Sequence, residues 1–150
     1  MTSRVPELID ALLAKSRPIP GLADVAVTDG PEVSGSTARD WLLIGFDGDP
    51  GGEFLAAQTV GGWSSLSTGR EEQLQVTCAA IANRSDTDVR AARQRVYEIG
   101  ACLEELLRQD PSLGLASLQV AIEASQLVQD QTDQGVQARL LLTVAGSAFT

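Results

Sequence analysis

Between Glu71 and Arg108 the hydrophobic pattern changes period once. Leu74, Val76, Cys78, Ala80 and Ala82 alternate with Gln73, Gln75, Thr77, Ile81 and Asn83. A period of two over this length predicts a half-buried strand. Asn83-Arg84-Ser85-Asp86 then forms a turn cluster in which Ser85 or Asp86 is placed to cap a helix. Beyond it, Val89, Ala92, Val96, Ile99, Leu103, Leu106 and Leu107 recur in steps of three and four, while Arg90, Gln94, Glu98, Glu105 and Arg108 take the opposite face. This is an amphipathic helix with one side against a sheet. It ends at Asp110-Pro111, because a residue before proline is pushed out of the helical region.

The flanking segments give weaker patterns. Ser3 to Ser16 predicts a first helix, with Ser3 as cap, Pro6 in the first turn and Val5, Leu8, Ile9, Leu12 and Leu13 on one face. Asp24 to Thr28 predicts a short strand. Arg39 to Phe46 predicts a strand apolar on both faces and therefore central or covered. Phe54 to Arg70 is the least regular stretch and reads as a long loop, with Trp63 set among glycines and serines. Trp63 is either a core anchor for that loop or an exposed contact for a partner. Leu118, Val120, Ile122 and Ala124 alternate, and so do Val136, Ala138, Leu140, Leu142 and Val144, with Asp130 to Gly135 as a polar hairpin loop. The expected architecture is a single α+β domain over 1–150: a mixed, mostly antiparallel sheet of about four to five strands, with two helices packed on one face. Its open face and strand edges are available to partners.

Composition narrows the chemistry. The 150 residues are 43% hydrophobic but only 4% aromatic, so the core is aliphatic and alanine-rich. The net charge of −9 and a pI near 4.3 argue against nonspecific nucleic-acid binding and against a basic lipid-binding surface. The acidic surface serves solubility or repels DNA. There is no histidine, and Lys15 is the single lysine, so the Gly-Lys-Ser/Thr phosphate loop is missing. Cys78 and Cys102 sit on apolar elements and read as buried free thiols, with a strand–helix disulfide as the alternative. Asp47, Asp49 and Glu53 do not complete a calcium loop and read as a turn. Arg84, Arg90, Arg93 and Arg95 form either a solvated helix start or a site for a phosphate or acidic partner. The first residues lack the apolar core of a signal peptide, and no apolar run reaches membrane-spanning length, so synthesis in the cytoplasm is expected. No catalytic, cofactor-binding or metal-binding residue stands out, and the chain is not expected to be an enzyme.

A set of short phrases carries a resemblance. Gly62-Trp63 and Gly69-Arg70-Glu71-Glu72 precede the alternating strand; Asp86-Thr-Asp-Val-Arg-Ala-Ala-Arg opens the long helix, which ends at Asp110-Pro-Ser-Leu-Gly114. Leu118-x-Val120-x-Ile122 and Gln134-Gly-Val-Gln-Ala-Arg-Leu follow. From about Trp41 to Val144 this order resembles the tail terminator (tail completion) proteins of long-tailed bacteriophages and related prophages. The resemblance implies a virion protein at the head–tail junction, assembled in the bacterial cytoplasm. It implies a homohexameric ring that ends polymerisation of the tail tube and offers a surface to the head. Its partners would be further copies of itself, the major tail tube protein and the head–tail connector or neck protein. DNA would pass through the lumen without specific binding, and no membrane or cofactor is involved. Carried over, Phe54, Trp63 and Leu66 would be apolar interface contacts and Arg70 a charged one. A head-completion adaptor ring of the neck is a neighbouring reading. An acidic, dimeric secretion chaperone that holds an extended segment is a reading of a different class.

Overall fold

The structure, a computed structural model, describes residues 3–32, 36–65, 69–133 and 135–149. Its elements in order are α1 (Val5–Ser16), a 3-10 turn (Pro20–Leu22), β1 (Ala26–Asp29), β2 (Asp40–Ile44), β3 (Ala57–Ser65), β4 (Gly69–Arg84), α2 (Val89–Gln109), β5 (Leu118–Thr132) and β6 (Gly135–Phe149). One six-stranded sheet holds them in the order β1-β2-β4-β6-β5, with β3 also on β4. The β1–β2 pair is parallel and every other pair antiparallel. The fold is α+β, with one strand more than the pattern predicts.

β4 is the hub. One of its edges pairs with β6 along its length, from Glu71↔Phe149 to Arg84↔Val136. Its other edge is shared: β2 takes Cys78 to Ala82, and β3 takes Gly69 to Val76. The change of partner falls at Thr77. The Thr77 N–H donates to the Ala56 carbonyl at 2.9 Å, and the Thr77 carbonyl accepts from the Gly45 N–H at 2.7 Å. A single residue therefore closes both ends of the 45–56 excursion. Gly45 turns the chain away at φ +82, a region that L side chains rarely adopt.

The expected long loop from Phe54 to Arg70 is thus corrected. Residues 57–65 form a strand, and they do so despite Gly61-Gly62, which lack β-propensity. The free edge of β4 decides the outcome, since its N–H and carbonyl groups need partners. Leu66 lies outside the described residues.

The inner face of the sheet carries Leu42, Ile44, Leu74, Val76, Cys78, Ala80, Ala138, Leu140, Leu142 and Val144. Both helices cover it. α2 contributes Ala92, Val96, Ile99, Leu103 and Leu107, and α1 contributes Leu8, Leu12 and Leu13. β2 is buried throughout, as its apolar run predicts. On the outer face a smaller cluster of Trp41, Leu43, Phe46, Ala79 and Ile81 lies at the β2 end.

Local details differ from the pattern in three places. α2 is capped by Asp88, whose carboxylate accepts from the Ala91 N–H at 3.0 Å, so neither Ser85 nor Asp86 caps it. A bulge between Ile122 and Ala124 reverses the parity of β5. Ala124 then pairs with Thr143 on the outer face, and Ser125 and Leu127 take the inner side beside Leu142 and Leu140. The 130–135 loop is a tight hairpin, with Asp130, Gln131 and Thr132 already in register with Gln137, Val136 and Gly135.

Charges also tie the layers together. Asp40, at the start of β2, is 7% exposed. Its carboxylate accepts from Arg84 at 2.6 Å and from Arg95 Nε at 3.1 Å. Arg95 reaches on to Asp24 at 2.6 Å and Glu98 at 3.0 Å. Burial opposes the Arg95 charge, but the bonds to Asp40 and Glu98 and the fields of Asp24 and Asp40 outweigh it and raise its pKa. Arg84 and Arg95 are therefore cross-links within the fold, which corrects the expectation for these two, whereas Arg90 and Arg93 are exposed at the helix start as the solvated reading has it. A second carboxylate, buried Glu72, holds the start of α1. It accepts from the Ser3 hydroxyl at 2.5 Å and the Arg4 N–H at 2.8 Å. Ser3 itself accepts only from the Val5 N–H, and the cap position falls to Arg4.

Two stability predictions follow from this charge arrangement and from the buried thiol. Asp40→Ala leaves two largely buried guanidinium groups without their shared partner and should cost about 2–4 kcal/mol in urea unfolding. Asp24→Asn, at a carboxylate side chain 74% exposed, should cost less than about 1 kcal/mol. Burial pushes the Cys78 thiol up to about 12 from its ordinary 9.0. The unfolded chain loses that proton first, so this contribution is fully present below pH 9.0 and is lost as pH rises towards 12. Unfolding titrations should show a decline of up to about 1.4 kcal/mol per pH unit in that window, smaller in Cys78→Ala.

Candidate interaction surface

What the helices leave uncovered is the outer face beyond the Trp41 cluster, together with two strand edges. The outer face is uncharged along its middle. Gln73, Gln75 and Thr77 of β4 face outward beside Ser147, Ala145 and Thr143 of β6, with Gln119, Ala121 and Ala124 of β5 next to them. At the β3 end the sheet curls into a trough of about 390 Å³, lined by Gln58, Val60, Gln73, Gln75, Ala121 and Glu123 among others. Ala145 is small enough for side chains to bridge above it. Gln58 donates to Gln75 at 3.1 Å, and Gln75 donates to Glu123 at 3.5 Å. A trough walled by amides suits a polar protein surface. Glu123 is its one carboxylate among the lining residues, and it accepts from Gln75.

The edges differ in length. β1 is a four-residue edge, short enough to be a poor template. β5 is a fifteen-residue edge, and among the described residues it pairs only with β6. The Val120 N–H is taken by the Pro111 carbonyl at 2.9 Å, so the open part begins after it. Among the described residues β3 likewise pairs only with β4, and it carries Val60 at 70% exposure. Neither strand contains proline, lysine or arginine, the residues that commonly protect an edge.

The expected contact residues are distributed unevenly over this surface. Phe54 lies on the 45–56 excursion, at φ +59 and 53% exposed. Its ring stacks on Phe46 with centroids 5.1 Å apart and 11° between planes. Trp63 and Arg70 are backbone partners across the β3–β4 hairpin. Phe54 is thus separated from the other two by the length of β3. The excursion is held from beneath by Arg139, which donates to the Gly48 carbonyl at 3.0 Å. Asp47 accepts from the Asp49 N–H and Asp49 from the Gly51 N–H, both at 2.9 Å, so these carboxylates make the turn. Among the described residues no group of three or more potential ligands could hold a metal ion, and no helix is long and apolar enough to cross a membrane. Cys78 and Cys102 are both free thiols, the first buried and the second partly so.

The β5 edge is the feature that reading for side-chain chemistry passes over. Its signal was present: residues 118–132 form a strand-length run without a proline or a basic residue. No family model matches the chain, and no curated protein matches it in sequence.

Phe54→Ala removes one ring of the stack from a half-exposed site and should cost about 1 kcal/mol in thermal or urea unfolding, with the sheet retained by circular dichroism. A loss several times larger would make the 45–56 excursion part of the core.

Proposed function

We propose that this chain is a structural assembly protein of the tail-terminator type. Copies of it form a ring, a hexamer on the resemblance, at the head-proximal end of a phage tail tube. The ring stops tube polymerisation and offers its far side to the head–tail connector. It carries out no reaction and holds no cofactor. The observation that supports this best is the pair of long open edges, β3 and β5, on opposite sides of one mixed, mostly antiparallel sheet. A surface with two different complementary sides associates head to tail, and such association generates rings when the rotation closes. The net charge of −9 supports a lumen that lets DNA through without holding it. The uncharged outer face and the 45–56 excursion with Phe54 remain for the tube and the connector.

The test is inactivation of the gene in the phage or prophage that encodes it, followed by electron microscopy of the particles. The reading expects DNA-filled heads without tails, and separate tubes of abnormal length. Normal joined particles would refute it and favour the secretion-chaperone reading, in which an open edge holds an extended client. Heads that leak DNA beside tubes of normal length would point to a head-completion ring. In the same system Trp63→Ala should leave the melting curve of the purified protein unchanged and lower the yield of tailed particles. An unfolded variant would instead make Trp63 a core anchor.

A further inference from the structure

We infer that the open edge of β5 is the docking site for β3 of a second copy of this chain, so that neighbouring subunits share one continuous sheet. This rests on the ring reading and names its contact.

Three observations carry it. The first is strand direction. β3, β4, β6 and β5 are successive antiparallel neighbours, so β3 and β5 run in opposite directions. A copy added in the same orientation brings its β3 antiparallel to the β5 it meets, and the alternation continues unbroken. The second is charge. The open part of β5 carries Glu123 and Asp130, whereas residues 57–65 contain no charged residue. In a chain of net charge −9, a twofold β5–β5 junction would gather four carboxylates in one interface. Pairing with β3 adds none. Like charges facing across a sheet are destabilising.

The third is stagger. β3 lies beside Gly69 to Val76, a stretch level with Leu118 to Ile122 of β5. That end of β5 is occupied where the Val120 N–H meets Pro111. The next β3 must therefore sit further along, beside the run that follows Ile122. Such a displacement along the strands is the shear that tilted strands need when sheets close around an axis. Gly61 and Gly62 bring no side chain to the approaching edge, and Val60 projects from the outer face.

Thiol cross-linking tests the junction. Val60→Cys and Gln126→Cys place thiols on the outer face of β3 and of β5, both at exposed positions. Cys102→Ser removes the partly accessible native thiol, and buried Cys78 stays unreactive. The full chain, concentrated and treated with a short bis-maleimide, should give a ladder of covalent dimers, trimers and higher species from the double variant. Ala124→Cys in place of Gln126→Cys allows for a shift of register. Each single-cysteine variant should give none, and all variants should melt like the parent.

Covalent dimers from Gln126→Cys alone would establish a twofold β5–β5 contact and overturn the inference. Rings visible by native mass spectrometry without cross-links would also overturn it, while leaving the terminator reading in place. Protein that stays monomeric and uncross-linked at the highest concentration reached would overturn the edge contact as well. The particle phenotype of the inactivated gene then judges the terminator reading separately.

Discussion

The fold depends on how the edge of β4 opposite β6 is satisfied. A strand of sixteen residues presents more backbone donors and acceptors than β2, five residues long, can meet. Left unpaired and covered, each such group would cost about 1–3 kcal/mol. The chain solves this by returning to the same edge after an excursion, with Thr77 bonded to Gly45 on one side and Ala56 on the other. β3 therefore exists because of where β4 lies. Its sequence alone would not hold it extended, and its other edge is left open as a consequence. The feature offered as an interaction surface and the feature that completes the sheet are two sides of one strand.

This explains which parts of the structure were legible beforehand. β4, α2 and β6 have long clean periods, and the structure keeps their buried faces residue by residue. The parity of β5 was legible only as far as Ile122. A bulge leaves no mark in hydrophobicity when the residues beyond it are alanine, serine and glutamine. β3 was read as a loop because its glycines and serines lack propensity, and the deciding term was a partner seventeen residues away in the Gln58–Gln75 pair. Of the contact residues, Phe54 is half-exposed and rests on Phe46. Open strand edges are expected from the sequence, but that β5 is one of them is not legible there, because an edge is defined by what is not beside it.

The charged residues divide in the same way between fold and surface. The arginines around the start of α2 invite an anion-binding reading in sequence. Arg84 and Arg95 instead meet at Asp40, joining the end of β4 and α2 to the start of β2. Glu72 turns inward to hold the start of α1, where a carboxylate also favours the positive end of the helix dipole. With these charges committed to the interior, the outer face between β3 and β5 is left mostly to amides, hydroxyls and alanine, with Glu123 beside them.

A face with few charges and long open edges is a hazard for an ordinary monomer, because edges template further pairing. Two features here bear on how that pairing is limited. The first is the net charge of −9, which keeps free copies apart at long range and weakens as salt rises. The second is geometry. A head-to-tail junction between flat, level edges would propagate without end. In this chain the two edges are staggered along the strands, and β5 is bulged where its open part begins, which increases local twist. In the proposed edge-to-edge junction both features would tilt each added copy relative to the last. A fixed tilt and a fixed turn per copy are what make a head-to-tail series close on itself. On this reading the bulge after Ile122, at the start of the contact, and the Pro111 bond at Val120, just before it, set the geometry of the assembly.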